Sequence, residues 1–220
     1  MKISKKLNDI FTVILVLCAI IVTALVVKKE MFSNDSTVKI QTVNNWQSLI
    51  TGGQLIGKKN APVVIIEFTD FECPYCKTLS KNLYIILKRY NGEVALVVYN
   101  FPLNIHVHAY KLAVAGVCAA IQNRYEAYYN SIYDYQDRYK EMNLSDIARV
   151  AGIKDTMSFI NCTQNKAIAS IVNNEIEKGK QIKVEGTPTL IIDGKMIVGV
   201  QTISELDELI KNLLNKNHKK

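Results

Sequence analysis

The sequence predicts an α/β fold made of two halves, strand–helix–strand and strand–strand–helix. A helical insertion separates them, and one membrane-spanning helix precedes them. Three observations carry this reading. Val63-Val-Ile-Ile66 and Glu93-Val-Ala-Leu-Val-Val-Tyr99 are short apolar runs rich in β-branched residues, on either side of a helical stretch from Lys77 to Tyr90. Thr189-Leu-Ile-Ile192 and Met196-Ile-Val198 flank Asp193-Gly194, a hairpin signal because both turn residues tolerate positive φ. Between these two blocks, over residues 104–182, every clear hydrophobic pattern has a helical period.

At the N-terminus, Ile10 to Val27 holds no charged residue over eighteen positions, near the lower limit for crossing a bilayer. Lys2, Lys5 and Lys6 precede it, and Lys28 and Lys29 follow it. A cleaved signal peptide is the alternative, but Ala24-Leu-Val-Val27 lacks the small residues of a cleavage site. Residues 10–27 therefore read as an uncleaved anchor behind a short cytoplasmic N-terminus, 1–9. Lysines at both ends orient such an anchor only weakly. Leu15-Val-Leu-Cys18 lacks the small residue that a lipoprotein site needs, so Cys18 reads as a packing or lipid-facing residue. Residues 28–57 read as a linker and N-terminal extension. They hold an alternating edge-strand candidate at Val38–Val43 and loop glycines at 52, 53 and 57. Trp46 carries no pattern of its own.

Composition narrows the function classes. The chain has 220 residues, nearly half of them apolar, enough for one domain with a real core. Its net charge is +7, but from Met31 onward the balance is 22 basic to 18 acidic residues with no basic stripe. That argues against nucleic acid as a partner.

The first half, residues 58–103, holds the chemistry. Its strand leads through Glu67 to Cys73-Pro-Tyr-Cys76, and the helix starts there. Cys73 thus sits at a helix N-terminus, where unpaired N–H groups and the helix dipole favour a thiolate. Pro74 fits the first helical position, whose N–H has no partner anyway. Cys76 lies one turn further in, within reach of a mixed disulfide on Cys73. A strand, a CxxC and a helix in this order point to dithiol redox chemistry. The rival is half of a zinc site, which needs two further ligands at matching spacing. Cys18, Cys118 and Cys162 are isolated, and only His106, His108 and His218 remain. The redox reading prevails, with no metal.

The insertion, 104–182, begins with an apolar helix from Val107 to Ile121, too short to span a membrane. Tyrosines 125, 128, 129, 133, 135 and 139 follow at spacings near three and four. This pattern predicts a packed helix with hydroxyls at its rim rather than a base-stacking platform. Ser145 to Gly152 predicts a capped helix, Asp155 or Thr156 a second cap, and Asn165 to Lys180 a longer amphipathic helix. Cys118 and Cys162 stand alone in this insertion. Outside the cytoplasm such a pair reads as a structural disulfide, with two buried free thiols or a second redox pair as alternatives. Closing 44 residues stabilises by about 4 kcal/mol on the chain-entropy model. In the second half, 183–215, Thr202-Ile-Ser-Glu205 is a capping box ahead of Leu206, Ile210 and Leu213 on one helical face. A basic tail, 216–220, ends the chain.

Lys59-Asn-Ala-Pro-Val-Val-Ile-Ile-Glu-Phe-Thr-Asp-Phe-Glu-Cys-Pro-Tyr-Cys-Lys77 resembles the active-site region of the DsbA-like thiol–disulfide oxidoreductases. Phe101-Pro-Leu with His106 and Ala109, and the late Gly186-Thr-Pro-Thr189, match that family as well. The likeness covers about 55 to 215. It implies a thioredoxin-like fold with an inserted helical subdomain. It also implies Cys73 as nucleophile, Cys76 as resolving thiol, and Glu67 as a buried carboxyl with a raised pKa that moves the proton of Cys76. Thr187-Pro188 matches a cis-proline loop facing the CxxC, which would set the Thr187 backbone beside Cys73 to pair with substrate. Tyr75 stands where strongly oxidising members carry a histidine, which implies a weaker oxidant. Asp70 and Glu72, close to the thiols, read as solvated charges.

The sequence thus predicts a membrane-anchored enzyme with its catalytic domain on the extracytoplasmic side of the cell membrane. It would act on reduced or misoxidised substrate proteins as a monomer, without an organic cofactor, and be reoxidised by a membrane redox partner. A reductase or isomerase on the same fold is the first rival, and a non-catalytic peptide-binding chaperone the second.

Overall fold

The computed structural model describes residues 14–24 and 41–217. Residues 14–24 are helical and exposed throughout. The anchor expected at 10–27 otherwise lies outside the described residues, as do 1–9 and 218–220 of the expected termini. Among the described residues no helix is long and apolar enough to cross a membrane.

The rest forms a second unit organised on strand β3, Val63–Thr69. Six of its seven residues are buried, the pattern of a strand covered on both faces. In chain order the strands are β1 (Gln41–Thr42), β2 (Gln54–Ile56), β3, β4 (Val94–Asn100), β5 (Thr189–Ile192) and β6 (Lys195–Val198). They make one six-stranded sheet in the order β1-β6-β5-β3-β4-β2. β3 runs parallel to β4 and antiparallel to β5, with Glu67 opposite Val98 and Leu190. Helix α1 (Pro74–Arg89) connects β3 to β4. After β4 come α2 (Ala109–Ile121), α3 (Tyr125–Asp134), α4 (Leu144–Val150), α5 (Thr156–Thr163) and α6 (Lys166–Gln181), and α7 (Ile203–Asn217) follows β6.

Side chains alternate across β3. Val63, Ile65 and Glu67 share one face, where Ile65 packs with Leu79 and Leu83 of α1 and Leu206 and Ile210 of α7. Ile66 and Phe68 face the other way, against Tyr99, Phe101 and Ile191. Phe68 stacks on Tyr99 at 5.0 Å between ring centroids. The two-sided core is the reason that the whole β3 run is apolar apart from Glu67 and Thr69.

Three parts of the sequence reading change. Residues 41–57 are more than linker: β1 lies within the edge-strand candidate Val38–Val43, and β2, in the stretch read as loop, joins the sheet as well. β1 pairs with β6, and β2 pairs with β4 at the opposite edge. A three-residue edge strand has too little alternation to stand out in sequence. Gly53 sits so close to β4 that a Cβ there would lie 2.6 Å from the Val98 carbonyl oxygen. In the insertion, α4 is capped by Asn143 in a capping box with Asp146, two residues ahead of Ser145. The tyrosines are not at a rim: Tyr125, Tyr128, Tyr129 and Tyr133 are all buried. The Asp193-Gly194 turn has φ of 47° and 79°, the doubly positive conformation that its sequence predicts.

Candidate active site

Helix α1 begins at Pro74 with Cys73 as its N-cap, in extended conformation at φ −73° and ψ 122°. The cap position aims the free N–H groups of the first turn at the Cys73 sulfur. Cys73 is 4% exposed and Cys76 wholly buried, and both are free thiols. Cys73 Sγ lies 3.4 Å from the Thr187 carbonyl oxygen, to which it donates. The Thr187–Pro188 bond is cis, and this loop joins α6 to β5 on the neighbouring strand. Tyr75 projects into solvent at 66% exposure.

The two thiols are pulled in opposite directions. Cys73 is lowered to about 6: the Cys76 side chain bonds to it, and the N–H groups of Cys76 and Tyr75 and the Thr187 hydroxyl add to this against burial. Burial pushes Cys76 well above the usual thiol value, and its bond to Cys73 and the charges of Glu67 and Cys73 push the same way. One sulfur is poised as a thiolate and the other as a thiol.

Beneath them lies Glu67, fully buried on β3. Burial raises it to about 7, against the opposing hydrogen bond from Tyr129 and the Thr69 hydroxyl. Tyr129 donates to Glu67 Oε2 at 2.8 Å, and Glu67 Oε1 has no partner. Tyr133 of the same helix shares a 2.7 Å hydrogen bond with Thr69. The helical insertion therefore supplies polar groups to the floor of the site.

Asp70 and Glu72 are not solvated charges. Asp70 is 1% exposed. Its Oδ1 accepts from the Glu72 N–H at 2.7 Å, and its Oδ2 accepts from the Leu103 N–H at 2.7 Å and pairs with His106 Nδ1 at 2.8 Å. Glu72 accepts from the His108 N–H and the Tyr139 hydroxyl. Burial raises its pKa, but these bonds and the Ala109 N–H outweigh it and lower it. The two carboxylates fasten the active-site turn to the loop of residues 101–108. A turn-shaped sequence gives no sign of donors that arrive from thirty residues away.

Gln136 was also beyond sequence reasoning. Buried just after α3, it donates through Nε2 to the carbonyls of Phe71 at 2.9 Å and Cys73 at 3.0 Å. A second buried carboxyl, Glu175 of α6, accepts from the Asn100 N–H and Nδ2 at the end of β4. Burial raises it to about 7. Away from the site, Cys118 of α2 and Cys162 of α5 are joined in a disulfide with their Cα atoms 5.8 Å apart. Among the described residues no three His, Cys, Asp or Glu side chains gather as a metal site.

The arrangement does one kind of chemistry well. A shallow, ionisable sulfur faces a backbone carbonyl that an extended chain can approach, and a deep, protonated sulfur sits behind it over a buried acid. A family model described as Thioredoxin matches residues 50–212. The probable disulfide bond formation protein D of Bacillus cereus is 27% identical over 154 residues, covering 65% of this chain and 71% of that protein. The Na(+)/H(+) antiporter NhaA 1 of Mycolicibacterium vanbaalenii is 26% identical over 141 residues, 63% of this chain, which spans only 23% of the antiporter's length. Among solved structures, the thiol-disulfide exchange protein alpha-DsbA2 from Wolbachia pipientis superposes with a TM-score of 0.68 at 20% identity, over 76% of this chain and 91% of that one. With the family model matched over residues 50–212 of the 220, the chain belongs to the thioredoxin family.

Proposed function

We propose that this protein is a membrane-anchored dithiol oxidase that donates its Cys73–Cys76 disulfide to reduced proteins outside the cytoplasm. The observation that carries the reading is geometric: Cys73 caps α1 with its sulfur 3.4 Å from the Thr187 carbonyl oxygen, and Cys76 lies wholly buried one turn further in. A substrate thiolate attacks Cys73 Sγ, the Cys73–Cys76 bond breaks, and Cys76 leaves and takes a proton from Glu67. A second substrate thiolate then attacks the substrate sulfur of the mixed disulfide. Cys73 leaves as the thiolate that the start of α1 stabilises, which makes it a good leaving group. Two substrate thiols become one disulfide, and the enzyme is left as the dithiol described above. The sulfurs carry both electrons, so no organic cofactor or metal enters the cycle.

Reoxidation requires a partner that presents a disulfide of its own, and an anchored enzyme meets such a partner in the membrane. The uncharged run at 10–27 and the exposed apolar side chains of Ile14, Leu15, Val16 and Leu17 support the anchor. An oxidising compartment suits both the Cys118–Cys162 bond and the proposed direction. The name of the Bacillus cereus relative, a disulfide bond formation protein, points the same way. Thr187 and Pro188 would hold an extended substrate segment next to Cys73, with the enzyme acting as a monomer. Tyr75 brings no positive charge to the thiolate, so we place the enzyme among the weaker oxidants.

Mixing oxidised enzyme with one equivalent of a reduced dithiol peptide tests the direction. Transfer of the disulfide to the peptide at equilibrium is expected. Retention of the disulfide by the enzyme would make it a reductase instead.

A further inference from the structure

The side chain and the carbonyl of Cys73 branch from the same Cα, so its angle ψ decides where the sulfur lies relative to the N–H groups of the first turn of α1. Pro74 confines the residue before it to the broad extended region, and the ψ of 122° lies within that region. Inside it, the angle is set by whatever grips the carbonyl oxygen. Two donors do so. The Lys77 N–H lies at 3.2 Å, the long end of the range for such a bond, and Gln136 Nε2 lies at 3.0 Å.

Gln136 holds a second point as well. Its amide nitrogen carries two hydrogens, and its other acceptor is the Phe71 carbonyl at 2.9 Å. The Phe71 ring meets Tyr128 and Tyr129 of α3 edge to face, so the turn before Cys73 is pinned through ring and backbone alike. The segment that carries Gln136 touches this region twice more: Asp137 pairs with Lys77 at 2.6 Å, and Tyr139 donates to Glu72. Those two bonds end on side chains, whereas Gln136 bonds to the backbone that carries the nucleophile. Its buried place also suits a neutral amide. An ammonium there would need a partner for its charge, and a carboxylate would repel both carbonyl oxygens.

We infer that Gln136 is a positioning residue for disulfide exchange: by holding the Phe71 and Cys73 carbonyls it sets the Cys73 sulfur against the N–H groups that open α1. The inference rests on the role proposed above for Cys73. Without the amide, the Cys73 carbonyl keeps the Lys77 bond alone, and the sulfur spends part of its time away from those N–H groups. The thiolate is then less stabilised. Because the reduced form carries that thiolate, the Cys73–Cys76 disulfide becomes harder to reduce and a weaker oxidant. Losing one net hydrogen bond's worth of stabilisation corresponds to about fivefold in the exchange equilibrium.

The test takes two readouts on the full-length protein: its equilibrium with reduced and oxidised glutathione, and the pH profile of Cys73 alkylation in the reduced form. Gln136→Met keeps the length of the side chain and removes both donors. It should hold the active-site disulfide about fivefold more tightly and raise the Cys73 midpoint by about 0.7 pH unit, the same factor on a logarithmic scale. Ser131→Ala removes another hydrogen bond of the insertion, from Ser131 Oγ to the Val150 carbonyl at 3.0 Å, and should leave both readouts at their wild-type values. If Gln136→Met does not fold, the unaltered protein carries the test. The side-chain nitrogen resonance of Gln136 should then titrate with the Cys73 midpoint, because the amide is bonded to the residue that ionises. Wild-type readouts in Gln136→Met, or a Gln136 resonance that ignores the Cys73 titration, overturn the inference. Shifts of equal size in Ser131→Ala overturn it too, since they would mark a general loosening of the insertion. A wild-type Cys73 midpoint at the value of an ordinary thiol removes the role proposed for Cys73 itself.

Discussion

The molecule holds two cysteine pairs, and the helix positions that they occupy differ in kind. Cys73 is the N-cap of α1, where the free N–H groups and the positive end of the helix dipole stabilise a thiolate. Cys118 and Cys162 stand in the last turns of α2 and α5, where the dipole is negative and unpaired carbonyls disfavour an anion. Reducing the first pair creates a stabilised thiolate, whereas reducing the second creates thiols with nothing to ionise them. On the proposed reading, the same sulfur chemistry yields an exchangeable bond at one end of a helix and an inert one at the other. The lesson is that helix direction, more than burial, separates a redox centre from a staple. Cys73 at 4% exposure and Cys118 at 1% are hardly distinguishable by depth.

The sharpest way to break this contrast is to remove sulfurs one at a time. Cys73→Ser should reduce exchange to the uncatalysed background, and Cys76→Ser should accumulate mixed disulfides with substrate. Equal trapping by both variants, read on non-reducing gels, would erase the distinction between nucleophile and resolving thiol. At the other pair, replacing Cys118 and Cys162 together by Ala should cost about 4 kcal/mol, a loss of about 10 °C in Tm for a domain of this size. Exchange rates should stay near wild type. Loss of exchange with stability intact would mark a second redox centre instead.

A smaller effect sharpens the role of the acid under the thiols. Glu67 is raised from 4.5 to about 7 in the fold. Its contribution is thus fully present below pH 4.5 and lost as the pH rises through 7. The reduced wild-type protein should lose about 3 kcal/mol relative to Glu67→Gln over that window. Denaturant unfolding at pH 4.5 and pH 8 measures the difference, and parallel pH dependences in the two proteins would contradict the assignment.

Much of this contrast is legible in the sequence, because it depends on local signals. A β-branched run, Cys73-Pro-Tyr-Cys76 and an amphipathic helix locate the N-cap cysteine without any tertiary information. Asp193-Gly194 and the Thr202–Glu205 box locate the second half in the same way. The polar support of the site is illegible, because it arrives from distant segments. Tyr129 reaches Glu67 and Gln136 reaches the Cys73 carbonyl from the insertion, and Leu103, His106 and His108 reach Asp70 and Glu72 from the loop after β4. A tyrosine-rich helix announces packing but not which hydroxyl meets a buried acid. The edge strand β2 escaped for a different reason, since three residues between glycines leave no period to read.

The central claim is that position on α1 splits the two active-site thiols into an acid and a non-acid. Site-resolved alkylation of the reduced protein across pH 4 to 10 tests it most directly, with each cysteine followed by peptide mass. The expected result is a midpoint near 6 for Cys73 and no reaction of Cys76 until well above the usual thiol range. A single shared midpoint near 9 for both sulfurs would contradict it.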